Sequence, residues 1–355
     1  MRFIFNQPLR LESGLTVPAY HLEYTTQGRL NKAGDNVVWI FHALTANSDA
    51  AEWWPGLVGA GRLFDPSVHY IVCVNMPGSC YGSIGPEDKD PHSGRPYYHD
   101  FPIWTTRDMI RAYQPLREAL GIRKIHIGIG GSMGGQQLLE WAIEEPELFS
   151  HIMPIATNGR HSPWGIAFNT AQRMAIEADG TWKERREGAG AEGMRAARAM
   201  ALLSYRDYGA YGKLQPRQEE QMAERTGTLY EEGKTIPGGA SSYQRYQGEK
   251  LVRRFSAFSY YALSLSMDAH DVGRGRGGLG AALGRIKARA LVIGIGSDIL
   301  FPLSEQQTLA DQIPGAEFQV IQSLYGHDGF LLEFIQIEQL AKRFLERQAV
   351  QAFLI

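Results

Sequence analysis

Two nearly unbroken apolar stretches, NVVWIFHAL (36–44) and HYIVCVNM (69–76), limit what this chain can fold into more than any other feature. A strand with one face in water alternates apolar and polar residues. A strand that is apolar on both faces must be covered on both, as in a parallel sheet flanked by helices. Similar runs recur in KIHIGIGGS (124–132), SHIMPIATN (150–158) and ARALVIGIGSD (288–298). Helical patterns separate them, in TTRDMIRAYQPLREALGI (105–122) and MGGQQLLEWAIEEPELF (133–149), and FIQIEQLAKRFLERQ (334–348) closes the chain. The βαβ alternation predicts a mostly parallel sheet between helical layers.

The rhythm breaks after Asn158. Residues 159–284 read as helical, rich in Arg, Ala, Met, Tyr and Gln, and end in the Gly/Arg stretch DVGRGRGGLGAALG (271–284). Strand patterns then resume. Residues 1–158 and 285–355 are therefore expected to form one discontinuous α/β core, with 159–284 a helical insertion. As an independent domain pair, the last strands would lack a sheet of their own. The 355 residues, 44% hydrophobic and 21% charged, suit such a core. A net charge of −2 gives no reason to expect nucleic acid or an anionic membrane as partner. No apolar run nears the ~20 residues of a membrane helix. The N-terminal MRFIFNQPLRLESG reads as a strand and not as a signal peptide, so a cytoplasmic address is expected. Two cysteines are too few for a disulfide framework or a zinc site, and no metal is expected.

The glycine cluster GIGGSMGGQQ (128–137) demands close backbone approach to something. A dinucleotide fingerprint counted from Gly128 and Gly130 would need a third glycine where Met133 stands. A phosphate loop spaced on Gly130 and Gly135 would need Lys and Ser/Thr where Gln136 and Gln137 stand. Both nucleotide readings fail. Gly130-Gly131-Ser132-Met133-Gly134 is instead G-x-S-x-G between a buried strand and a helix. That is the setting of a nucleophile elbow, and it outweighs a chance match in a glycine-rich chain.

A serine hydroxyl needs a base and an orienting carboxylate, which folds with this elbow supply in the order Ser, acid, His. His-Asp pairs occur at His99-Asp100, His270-Asp271 and His327-Asp328. His99 precedes the serine, and His270 lies in the insertion, where a structural or solvated role is expected. His327, in a glycine-flanked turn after the last strand, is the expected base. Asp298, just after a buried strand, is the expected carboxylate, with helix capping as its bland alternative. The oxyanion donors are expected to be the backbone N–H groups of Met133, opening the helix, and Leu44, leaving the strand at His42.

Taken together, FHALT, NMPGSCYGSIGP, GGSMGGQQLLEWA, NGRHSPWGIAFN, GSDILFP and YGHDGFL resemble the homoserine O-acetyltransferases, over about Asn36–Phe330. The resemblance implies an α/β-hydrolase fold with an inserted helical lid. It also implies ping-pong transfer of an acetyl group from acetyl-CoA, as co-substrate, through Ser132 to L-homoserine. It places the acceptor on Arg198, Tyr205 and Asp328, and implies a homodimer through the lid. The residues support Arg198 separately, because it shares one helical face with Met194, Ala201, Leu202 and Tyr205. A charge on an apolar stripe needs a partner, either a substrate carboxylate or a structural ion pair. Asp328 could hold the acceptor ammonium or merely form a turn. Two departures stand out: Ala46 replaces the usual glycine after HALT, and RFSAFSYYALS (254–264) replaces a RFDANSYLY-like run. Serine as acceptor, a succinyl donor and an esterase or peptidase with the same triad remain as alternatives.

Overall fold

The computed structural model describes residues 1–215, 230–231, 234–235 and 239–352. Eight strands build the central sheet: β1 (Arg2–Phe5), β2 (Tyr20–Gln27), β3 (Val37–Phe41), β4 (Tyr70–Val74), β5 (Ile125–Gly131), β6 (Phe149–Ile155), β7 (Arg289–Ile295) and β8 (Glu317–Ile321). Their spatial order is β1-β2-β4-β3-β5-β6-β7-β8. β1 and β2 join antiparallel, and the six strands from β4 to β8 run parallel. The apolar runs are buried on both faces. Val37, Trp39 and Phe41 pack into one core and Val38 and Ile40 into the other, the period of two that a pleated strand imposes.

Helix α1 (Thr106–Ala119) opens on a capping box between Thr105 and Asp108. Helix α2 (Met133–Glu144) packs Trp141 edge-on against Trp39 at 4.9 Å. After β6 the chain leaves the sheet. It forms α3 (Pro163–Glu177), capped by Ser162 with Pro163 in the first turn, then α4 (Ala191–Tyr205) and α5 (Tyr208–Leu214). Helices α6 (Gly239–Val252) and α7 (Ala257–Asp268) follow before the chain returns at β7, which pairs directly with β6. Helices α8 (Leu303–Gln312) and α9 (Phe334–Ala352) complete the molecule.

The Gly/Arg stretch fastens this excursion to the sheet's helices. Arg276 Nη2 lies 2.6 Å from both Glu140 and Glu144 of α2, and Arg107 Nε of α1 lies 2.7 Å from Glu140. Among the described residues, no helix is long and apolar enough to cross a membrane.

Candidate active site

Ser132 occupies the turn between β5 and α2 with φ +56° and ψ −126°, a conformation that side-chain-bearing residues rarely adopt. Its neighbours hold it there. Ser132 N donates to Ile155 O at 3.0 Å, and Thr157 Oγ1 donates to Ser132 O at 2.8 Å. The flanking glycines serve close approach. A Cβ on Gly130 would stand 2.6 Å from the Gly134 carbonyl, and one on Gly134 would stand 2.1 Å from Phe41 O. Strand, turn and helix can converge on the serine only because both positions lack side chains.

His327 lies in the short turn Gly326–Asp328 beyond β8. Its Nδ1 is 2.6 Å from Asp298 Oδ2, while Asp298 Oδ1 accepts the N–H groups of Leu300 and Phe301 at 2.8 and 2.9 Å. Asp298 is thus both a turn-former and the imidazole's partner. The ring is fixed by aromatic neighbours: Phe301 stacks on it at 5.1 Å, Phe330 meets it at 5.3 Å and Tyr205 at 5.7 Å. Phe330 also packs against Gly131, so the serine turn and the imidazole share a wall. Among the described residues, no hydrogen bond joins Ser132 to His327. Such bonds often tighten only when substrate is bound.

Two backbone donors are candidates for an oxyanion site. Met133 N–H is one of the four at the start of α2 without an intrahelical acceptor. Leu44 N–H has no acceptor among the described residues, in a turn closed by Ala46 N to Ala43 O at 3.0 Å. The turn is braced by His42, whose Nε2 accepts from Met76 N at 3.1 Å. Its Nδ1 must therefore carry the proton, which it donates to Ala43 O at 2.9 Å. Burial holds His42 neutral, with its pKa lowered to about 4. Ala46 in place of glycine thus falls within an intact turn.

The residues expected to bind the acceptor lie close to His327, with Tyr205 against its ring. Arg198 lies over the ring of Tyr205, 5.4 Å from its centroid, and makes no ion pair among the described residues. Met194, Ala201 and Leu202 are buried on the same helix, as its pattern predicts. Asp328 is 9% exposed, and its carboxylate accepts no hydrogen bond among the described residues, so turn formation does not explain it. Burial raises its pKa, opposed by Arg206 and Arg198. Behind Tyr205, Tyr260 of the divergent 254–264 run is fully buried and donates its hydroxyl to Gln172.

Of the other histidines, His270 is structural. Its Nε2–H donates to Asn158 O at 3.1 Å and its Nδ1 accepts from Thr106 Oγ1 at 2.9 Å. His99 contacts Trp182 O at 2.8 Å. Sequence reasoning missed His42 as a brace, Thr157 and Arg206. A histidine directly after a buried strand was a signal for the first; the others have no local signature. Among the described residues, no group of three or more His, Cys, Asp or Glu is placed to hold a metal ion.

A strained serine on a strand–helix turn, with an Asp–His pair delivered by later strands of a parallel sheet, defines the serine-dependent branch of the α/β folds. The family model for the alpha/beta hydrolase fold matches residues 36–334. The homoserine O-acetyltransferase of Cyclobacterium marinum is 46% identical over 96% of this chain and 94% of its own. That of Trichormus variabilis is 42% identical over 98% and 94%. This chain belongs to the homoserine O-acetyltransferase family of the alpha/beta hydrolase fold. Among solved structures, homoserine O-acetyltransferase from Bacillus anthracis superposes with a TM-score of 0.86 at 24% identity, covering 97% of this chain and 96% of that one. An acetylester hydrolase from Corynebacterium glutamicum does so at 0.82 and 24% identity, covering 97% and 95%. At that identity, both speak for the fold alone.

Proposed function

We propose that this protein transfers an acetyl group from acetyl-CoA to the hydroxyl of L-homoserine through an acyl-serine intermediate. In the first half-reaction, His327 Nε2 takes the Ser132 Oγ proton as the oxygen attacks the thioester carbonyl. The oxyanion accepts from the N–H groups of Leu44 and Met133, and collapse expels the CoA thiolate, which takes the proton from His327. In the second, the homoserine hydroxyl gives its proton to His327 and attacks the acyl carbon. Collapse returns the proton to Ser132 Oγ. Asp298 keeps Nδ1–H as the donor, so Nε2 stays free for proton transfer.

The single observation that carries the amino-acid acceptor is the pair of incompletely used charges beside His327. Buried Asp328 accepts no hydrogen bond and Arg198 makes no ion pair among the described residues. An ammonium on Asp328 and a carboxylate on Arg198, with the Tyr205 hydroxyl alongside, would complete both. Helices α3–α7 act as a lid over the site. The exposed Met200, Leu203 and Tyr208 on α4 and α5 suit a homodimer contact through it. The enzyme works in the cytoplasm, where its co-substrate is supplied.

The test is CoA release from acetyl- or succinyl-CoA with homoserine, serine or no acceptor. Homoserine-dependent release from acetyl-CoA is expected, abolished in Ser132→Ala and with a raised homoserine KM in Arg198→Ala. Release that ignores the amino acid would instead establish a hydrolase.

A further inference from the structure

Asp328 and Arg198 pose a physical problem that the acceptor site must solve. A carboxylate and a guanidinium facing each other in a largely dry pocket attract strongly, and nothing about the pair alone keeps them apart. If they closed on one another, the pocket would neutralise itself and offer an amino acid neither charge. No ion pair joins them among the described residues, and it is Arg206 that stands against Asp328. Its Nε lies 3.1 Å from Asp328 Oδ2, with both side chains largely buried. That N–H is not directed at the carboxylate and has no hydrogen-bond acceptor among the described residues. The contact therefore supplies charge without spending Asp328's lone pairs.

The guanidinium is itself fixed. It lies over the ring of Tyr325, 5.4 Å from its centroid. Its other side lines a cavity of about 320 Å³ shared with Tyr211 and Tyr243. The backbone sets the register: a Cβ on Gly326, where φ is +58°, would meet Arg206 C and Asp207 N at 3.0 Å. The end of α4 can thus seat on the catalytic turn only over a glycine.

Resting on the reading that Asp328 and Arg198 receive the acceptor, we infer that Arg206 is a positioning residue. It engages the Oδ2 side of Asp328, keeps that carboxylate charged and turned away from Arg198, and so holds open a matched pair of sites for a zwitterionic amino acid. The charged and titratable groups facing Asp328 are Arg206, Arg198, His327 and Asp298, with Tyr211 and Tyr205 at the edge. Two cations among them oppose the effect of burial. Removing one favours the protonated, useless form of the carboxylate.

The experiment measures both half-reactions, acyl-enzyme formation from acetyl-CoA and its discharge by homoserine, in Arg206→Gln, Arg206→Lys and Tyr325→Leu. Arg206→Gln is expected to lower homoserine kcat/KM about ten- to a hundredfold, mainly through KM, the lower part of the range for a close charge pair. Acyl-enzyme formation should fall much less, and the acid limb of homoserine kcat/KM should move to higher pH. Arg206→Lys should recover part of the loss. Tyr325→Leu, which keeps the charge and removes its support, should show the same split more weakly and keeps the test open if Arg206→Gln does not fold.

An unchanged or lowered homoserine KM in Arg206→Gln would overturn the inference, as would an equal fall in both half-reactions. Asp328→Asn and Arg198→Ala separate the layers. If they raise homoserine KM and Arg206→Gln does not, only the role of Arg206 fails. If they too leave it unchanged, the acceptor site itself is wrong.

Discussion

Replacing Gly134 with alanine should cost far more activity than stability, and the structure gives the reason. The new Cβ would stand 2.1 Å from Phe41 O, 2.8 Å from Phe41 C and 3.1 Å from His42 O. All three atoms are backbone, so no side chain can rotate away. Restoring ordinary contact requires α2 to retreat from β3 by about 1 Å, a shift set by van der Waals distances. The two sides of that seam carry the two proposed oxyanion donors, Met133 N–H on α2 and Leu44 N–H beyond β3. Opening it misplaces one donor against the other by a similar distance. A misplacement of that size costs about a hundredfold in rate. Stability should change much less: overpacking costs roughly 1–3 kcal/mol, partly offset because alanine is the better helix former by up to about 1 kcal/mol. In a chain of this length that is a few degrees of Tm. The assay pairs the rate of acyl-enzyme formation from acetyl-CoA with thermal unfolding. Gly180→Ala is the control, since a Cβ there meets nothing within 4 Å. Acylation by Gly134→Ala within about threefold of the parent rate would refute the account of the seam.

Three further outcomes are expected. Asp298→Asn keeps an oxygen for the N–H groups of Leu300 and Phe301 but turns an amide N–H toward His327; it should lower kcat about 10⁴-fold with little loss of fold, and a loss under tenfold would count against the triad. Arg276→Met leaves Glu140, 1% exposed, with Arg107 as its remaining cation; the cost should be about 1.5–3 kcal/mol in denaturant titration, the range for a hydrogen bond to a charged group, and a shift under about 1 kcal/mol would show the cluster to be dispensable. Acid should unfold the protein early, because burial lowers the pKa of His42 and His161 to about 4 and of His270 to about 3. Above the unfolded value near 6.5 they contribute nothing to pH dependence. As pH falls below it, the unfolded chain binds protons that the native state refuses, so stability drops by about 2 kcal/mol per histidine at pH 5. A flat unfolding free energy between pH 7 and 5 would contradict this.

What the sequence disclosed was whatever leaves a local, repeating trace. The two-faced apolar runs gave the parallel strands, because burial on both sides forbids polar residues at either parity. The serine turn was legible because its glycines are needed by backbone contacts within a few residues or with the adjacent strand. Order and placement singled out Asp298, after the buried β7, and His327, after the less buried β8, and the structure sets them 2.6 Å apart. Asp298's capping reading is compatible with its proposed role. Its two oxygens divide the work, one to the turn and one to the imidazole.

Arg206 was not legible, and the reason is physical. Its meaning depends on Asp328, 122 positions away. Their meeting depends on the end of α4 seating over Gly326, a contact with no periodicity to announce it. In sequence, Arg206 sits next to the tyrosine of the acceptor motif and looks like any arginine at the end of a helix, where a cation suits the dipole. The same holds for the arginines of DVGRGRGG: Arg276 pairs with Glu140 and Glu144 on α2, and Arg274 with Glu12. Their positive charge reads as a solvated linker until the fold supplies buried glutamates. Local pattern therefore reported the chemistry that forms and breaks bonds. The contact proposed to keep opposite charges apart is visible only where distant segments touch. What the structure adds is the meeting of Arg206 with Asp328, which no local pattern announces.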